Sequence, residues 1–198
     1  MAGKYLYFYI LNLLALLRVM KKLPWALLVL SLAGCGEKAS PKNHDTLISN
    51  DFESLEGWVN DLNTTSLTRE KAHSGQYSLK VDGTTEYGRT YTNQLGKMHD
   101  TRPKKLKINA WVFVSGAQAG AKLVTVITDP APDAKPAVWD GLDVVAAVKG
   151  QYGKWVEISN ELTVPESVTP TNKFQMYLWR TGGSAPVYLD DLTVTAVE

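Results

Sequence analysis

The sequence predicts an all-β domain built as a two-sheet antiparallel β-sandwich, or jelly roll, and three observations predict it. From Thr46 onward, short runs of β-branched and aromatic residues are broken by Gly, Pro, Asn and Asp. The runs follow one another at regular spacing, and Ala- and Leu-rich windows of helical period are missing from them. No internal repeat of about 20 to 50 residues is present, which argues against a propeller or a solenoid.

Taken in order, the predicted strands are Thr46–Glu53, which closes at a Ser-Leu-Glu-Gly turn, Ser66–Glu70, and Tyr77–Val81 after the Ser74-Gly75 turn. Tyr87–Leu95 follows the Asp82-Gly83 break, and Lys105–Val114 follows Pro103. Lys122–Asp129 ends in the Pro-rich stretch Asp129 to Pro136, and Leu142–Val148 ends at Gly150. Trp155–Val164 stops at Pro165, Phe174–Trp179 at Gly182-Gly183, and Val187–Val197 closes the domain.

Alternation with period two assigns faces to these strands. Leu106, Ile108, Ala110, Val112 and Val114 form an apolar face, opposite Lys107, Asn109, Trp111 and Phe113. Phe174, Met176 and Leu178 read as core, leaving Gln175, Tyr177 and Trp179 on the other side. Tyr87, Arg89 and Tyr91 share a face by the same count. A sugar ring offers a C–H face that packs on an aromatic plane and a rim of hydroxyls that need amide or guanidinium partners. A sheet face carrying Gln175, Tyr177, Trp179, Arg89 and Asn109 would supply both, with Trp139 added from a loop. The plainer reading, that these aromatics are core of the second sheet or lie under loops, stands beside it.

The N-terminus carries an address. Met20-Lys21-Lys22, the mainly apolar stretch Leu23 to Leu32 and the run Leu32-Ala33-Gly34-Cys35 resemble the lipobox signals of bacterial lipoproteins. The resemblance implies cleavage before Cys35, the only cysteine, and diacylglycerol on its sulfur. Residues 1–34 hold Lys4, Arg18, Lys21 and Lys22 but no Asp or Glu, so of 21 basic residues 17 remain against 20 acidic, a mature net charge of −3. Tyr5 to Leu17 is a second apolar stretch, short of the roughly 20 residues that span a bilayer. Either it is a long leader, or translation starts at Met20. Residues 1–34 are thus expected to be a signal peptide, 35–45 a lipidated polar tether, and 46–198 the domain.

With one cysteine already spent on the lipid, the mature chain has none for an internal disulfide. Near-neutral charge without a Lys/Arg block argues against nucleic acid, and Lys104-Lys105-Leu106-Lys107 reads as the outer face of a strand. The three histidines, His44, His73 and His99, are too scattered for a zinc cluster. No Gly-x-Ser-x-Gly elbow, His-Glu-x-x-His helix, phosphate loop or dinucleotide fingerprint is present.

Five segments in order resemble one family: Asn50-Asp51-Phe52-Glu53 with Gly57-Trp58; Ala72 to Val81; Ile108-Asn109-Ala110-Trp111-Val112; Gly153-Lys154-Trp155; and Val187-Tyr188-Leu189-Asp190-Asp191-Leu192. The series, from Leu47 to Val197, is similar to the carbohydrate-binding modules of the galactose-binding-like jelly-roll superfamily, in particular families four, nine and twenty-two. The resemblance implies a non-catalytic, polysaccharide-binding domain with a sugar site on its concave face or loop rim. It also implies a structural calcium ion held by Glu53, Asp190 and the neighbourhood of Ser74, hard oxygen donors of the type calcium takes. Against this, Asp190 and Asp191 read equally as solvated edge charges.

The expectation is therefore a monomeric, lipid-anchored polysaccharide binder of the bacterial cell envelope, at the outer membrane by the Gly36 that follows Cys35. Two alternatives stand: a structural or protein-binding lipoprotein on the same fold, or a small jelly-roll glycoside hydrolase or polysaccharide lyase. The last would need two facing carboxylates, for which Glu157 and Glu161 are the pair sharing a strand face.

Overall fold

Alternating inward apolar and outward polar residues build two antiparallel sheets in the computed structural model, which describes residues 45–59 and 66–197. The strands are β1 (Thr46–Asn50), β2 (Trp58–Val59), β3 (Leu67–Thr68), β4 (Ser78–Val81), β5 (Thr90–Gln94) and β6 (Lys105–Val114). They continue with β7 (Ala119–Thr128), β8 (Pro136–Asp143), β9 (Trp155–Thr163), β10 (Lys173–Gly183) and β11 (Val187–Val197). One-turn helices α1 (Leu95–Met98) and α2 (Val144–Ala147) interrupt them. A six-stranded sheet has the order β3-β4-β11-β6-β9 with β1 also on β11; a five-stranded sheet runs β2-β5-β10-β7-β8. The predicted sandwich is the observed one. The segments expected to be a signal peptide and a lipidated tether, with Cys35 and His44, lie outside the described residues except for Asp45.

The core forms where the two inner faces meet. On β6, Leu106, Ile108, Ala110, Val112 and Val114 are at most 2% exposed, and Phe174, Met176 and Leu178 of β10 are fully buried. Each of these side chains larger than Ala110 contributes roughly 1.5–3 kcal/mol by leaving water. At one end of the core, Phe52, Trp58, Tyr91 and Phe174 contact edge to face in series, with centroids 5.0, 5.7 and 6.1 Å apart.

Tyr91 therefore does not share a face with Tyr87. Met176 pairs with Tyr91 and Trp179 with Tyr87, three steps on β10 against four on the other strand. The extra residue is a bulge that turns Tyr87 outward, where it is 54% exposed, while Tyr91 stays inside. Gly88 lies at this bulge, where a Cβ would come within 3.3 Å of Leu178.

The predicted strand Leu142–Val148 is also corrected. β8 begins earlier, at Pro136, and ends at Asp143, whose Oδ1 accepts from the Ala146 N–H at 3.0 Å and caps α2. Val144 and Val148, four apart, are both fully buried, a helical spacing inside a β-branched run that imitates a strand. Proline is tolerated because it is the first residue of an edge strand. Among the described residues no helix is long and apolar enough to cross a membrane.

Candidate functional site

Strand register fixes which side chains stand together on the outer face of the five-stranded sheet. One row crosses it as Tyr87, Trp179, Lys122 and Asp143, each opposite the next. The next row holds Tyr177, Val124 and Gly141, and a third holds Thr92, Gln175, Val126 and Trp139. Of the residues read from sequence as sugar-contacting, Gln175, Tyr177, Trp179 and Trp139 are thus on one surface. Trp139 reaches it from strand β8 and not from a loop, the earlier start of β8 being the reason.

Two aromatic groups flank this face. On one side the Tyr87 and Trp179 rings lie parallel, 2° apart in tilt with centroids at 6.1 Å, and Tyr177 meets Tyr87 at 59° and 6.1 Å. Glu86 Oε1 accepts from the Trp179 indole N–H at 3.4 Å. On the other side the Trp139 indole lies over Gly141, where a Cβ would sit 2.8 Å from its ring edge. Trp139 is nevertheless 51% exposed, so much of it is open to solvent. Val124 beneath these side chains is fully buried although it points away from the core. Gln175 Nε2 donates to Thr92 Oγ1 at 3.4 Å, leaving its carbonyl oxygen as an acceptor on the face.

Arg89 and Asn109 do not join this set by register. Arg89 belongs to the bulged run before β5; its main-chain N–H donates to Ser66 Oγ at 3.1 Å, and its Nε is buried without a hydrogen-bond partner. Asn109 is on β6, in the other sheet. Lys122 and Gly141 were not singled out in the sequence. Their signal is the Trp139-Asp140-Gly141 alternation, legible only once 136–143 is a strand.

The outer face of the six-stranded sheet is covered by residues 69–77. His73 stacks on Trp111 at 3.9 Å, Lys71 Nζ sits 4.5 Å over the Phe113 ring, and the Tyr188 hydroxyl donates to Glu70 Oε2 at 2.8 Å. Burial, and then Glu70, push the Tyr188 phenol up to about 12. Two carboxylates from opposite ends of the chain hold the turn of this loop. Glu53 Oε1 accepts from the N–H groups of Gln76 and Tyr77 at 2.6 and 2.8 Å. Asp190 Oδ2 accepts from those of His73 and Ser74 at 2.7 and 3.2 Å, and its Oδ1 from Asp191 at 2.8 Å. Ser74 Oγ donates to Asp191 Oδ1 at 2.6 Å, and His73 Nδ1 contacts Asp191 Oδ2.

A bulge in β11, between Asp190 and Thr193 with Asp191 at φ 43°, aims Asp190 into this turn. Asp190 is fully buried and so is no solvated edge charge; burial pushes its carboxyl above the usual range, opposed by its three N–H donors. Among the described residues neither Glu53 nor Asp190 has a lysine or arginine partner, and Glu53 Oε2 has no donor. Carboxylates are the hard oxygen donors calcium takes, but here Glu53 Oε1 and both Asp190 oxygens accept from main-chain N–H groups, and no three His, Cys, Asp or Glu side chains among the described residues group around one point. Glu161 is ion-paired to Lys105 at 2.6 Å, and both it and Glu157 lie on edge strand β9 of the six-stranded sheet.

No family model matches the chain. In sequence it is 29% identical over 157 residues to exoglucanase XynX of Acetivibrio thermocellus, covering 77% of this chain and 14% of that protein. It is 30% identical over 155 residues to endo-1,4-beta-xylanase A of Thermoanaerobacterium saccharolyticum, covering 75% of this chain and 13% of that one. The chain spans about a seventh of these curated relatives. Among solved structures it superposes on the C-terminal family 22 carbohydrate-binding module of Clostridium thermocellum Xyn10B with a TM-score of 0.53 and 17% identity, covering 79% of this chain and 96% of that one. With the CBM22-1 xylan-binding domain of Paenibacillus barcinonensis Xyn10C the TM-score is 0.51 and the identity 20%, covering 78% and 96%. The described domain has the fold of these modules and is a carbohydrate-binding-module-like jelly roll.

Proposed function

We propose that this domain binds polysaccharide, without cleaving it, on the outer face of its five-stranded sheet. The observation that supports the reading is the pair of aromatic groups, Tyr87, Tyr177 and Trp179 on one side and Trp139 on the other, flanking a strip of sheet that holds Val124, Lys122 and Gln175. Aromatic planes take the C–H faces of sugars, while Gln175 and Lys122 stand between them to meet hydroxyls. Xylan is the first polymer to test, because the superposed module of Paenibacillus barcinonensis Xyn10C is a xylan-binding domain.

Binding from a bacterial envelope through lipid on Cys35 is part of the same reading, supported by the lipobox-like run. A Cys35→Ser chain is then expected to leave the detergent phase in a partition assay. Calcium is also part of it: Glu53 and Asp190 would hold the ion beside Ser74, and its chemistry there would be to neutralise the buried Asp190 carboxylate.

The deciding experiment is affinity electrophoresis of the full chain in gels containing xylan, β-glucan or mannan. Retardation by a β-linked polymer, with Trp179→Ala and Trp139→Ala each weakening it about five- to ten-fold, is expected from stacking contacts worth roughly 1–1.5 kcal/mol each. Unretarded migration in every gel by a folded protein would leave the structural or protein-binding role on this fold. Release of reducing ends would instead indicate an enzyme.

A further inference from the structure

Lys122 stands in the middle of the aromatic face with its charge unanswered. On β7 it is flanked across the ladder by Trp179 of β10 and Asp143 of β8. Asp143 is the natural counter-ion, being directly opposite on the same face. Its carboxylate is instead turned to α2, where Oδ1 accepts from the Ala146 N–H. Among the described residues the Lys122 ammonium makes neither a hydrogen bond nor an ion pair; its one partner is the Trp139 ring, 5.8 Å from Nζ to centroid. The lysine stem runs beside Gly141, with Cδ 3.2 Å from where a Cβ would be, so the side chain lies along the sheet and carries its ammonium toward Trp139. The other carboxylate near this row, Glu86, is engaged with the Trp179 indole.

A ligand bridging the two aromatic groups must pass over this ammonium. Covering a half-buried cation with a neutral sugar removes water from it and returns only a hydroxyl contact. Covering it with a carboxylate returns a charge-assisted hydrogen bond, about twice as strong as a neutral one. We infer that the site prefers an acidic polysaccharide, one carrying uronic-acid carboxylates on its chain or branches, and that Lys122 is the residue that reads the charge. The inference rests on the sugar-binding role proposed for this face.

The test uses glucuronoxylan and the same polymer with its carboxyl groups reduced to alcohols, so that linkage and length are held constant. The full chain is expected to bind the acidic polymer about five-fold more tightly in dilute buffer, the scale of one solvent-accessible ion pair. That preference should shrink as sodium chloride is raised to 0.5 M, where screening acts within a few ångströms. In Lys122→Gln the ratio of the two affinities should fall to about one, with an unchanged thermal melt reporting that the variant is folded; Lys122→Arg should retain the preference. Equal binding of both polymers by the unaltered chain would overturn the inference and leave the sugar-binding role standing. A preference that persists in Lys122→Gln would remove the assignment to this residue. Failure to bind either polymer would overturn the role on which the inference rests.

Discussion

Gly141 works on the site through what it lacks. Because the Trp139 ring occupies the space a Cβ would take, Gly141→Ala should tilt the indole off the sheet and weaken polysaccharide binding several-fold, with the melting temperature nearly unchanged. A retained affinity would show that the ring's resting position is immaterial. Asp82 carries a different prediction. Burial alone would raise its carboxyl, but the Thr84 hydroxyl and N–H at 2.8 and 2.9 Å, Lys80 at 3.0 Å and the Thr85 N–H at 3.0 Å together hold it well below the usual carboxylate range. A folded value below the unfolded one means that its stabilisation is complete above about pH 4 and is lost as the pH falls through the folded value. Asp82→Asn should therefore cost about 1–2 kcal/mol in urea melts at pH 7 and progressively less below pH 4. A cost independent of pH would contradict this origin.

At the scale of elements, period-two alternation in β6 and β10 was legible in the sequence down to the individual residue, because a face that is either core or solvent leaves no intermediate pattern. What was not legible is where the count slips. The bulge between Tyr87 and Tyr91 inserts one residue, and no local signal distinguishes it from continuous alternation; Gly88 is the nearest hint. Leu142–Val148 misled for the opposite reason: Val144, Val145 and Val148 have strand propensity, while the capping contact that makes them a helix comes from one aspartate side chain. Asp143→Ala should accordingly lower stability by about 1 kcal/mol, whereas Asp143→Asn, which keeps a capping oxygen, should lower it by less. Equal losses in thermal melts would mean that the cap is not what α2 depends on.

For the whole molecule, the fold class followed from ordered segments far apart in the chain, and the structure brings Glu53 and Asp190 of those segments to one turn. Which sheet each aromatic belongs to did not follow: Asn109 and Gln175 look alike in their strands and are separated only by the pairing of β6 with β9 and β11, and of β10 with β5 and β7. Joining Glu53 near the start to Asp190 near the end, the turn at 73–77 should make calcium a stabiliser of the entire fold. Calcium at about a hundred times its dissociation constant should add roughly 2.7 kcal/mol, and EDTA or Asp190→Asn should abolish the gain. An identical melting temperature with calcium and with EDTA would count against the ion.

The last strand closes beside the first: the Ala196 N–H donates to the Asp45 carbonyl at 2.7 Å, and β1 runs along β11 in the sheet that does not carry the aromatic strip. Entry and exit are thus at one corner. A domain wired this way can be spliced into a longer chain like a cassette, adding reach to whatever precedes or follows it while disturbing neither its own hydrogen-bonded ladders nor the surface where a polymer would lie.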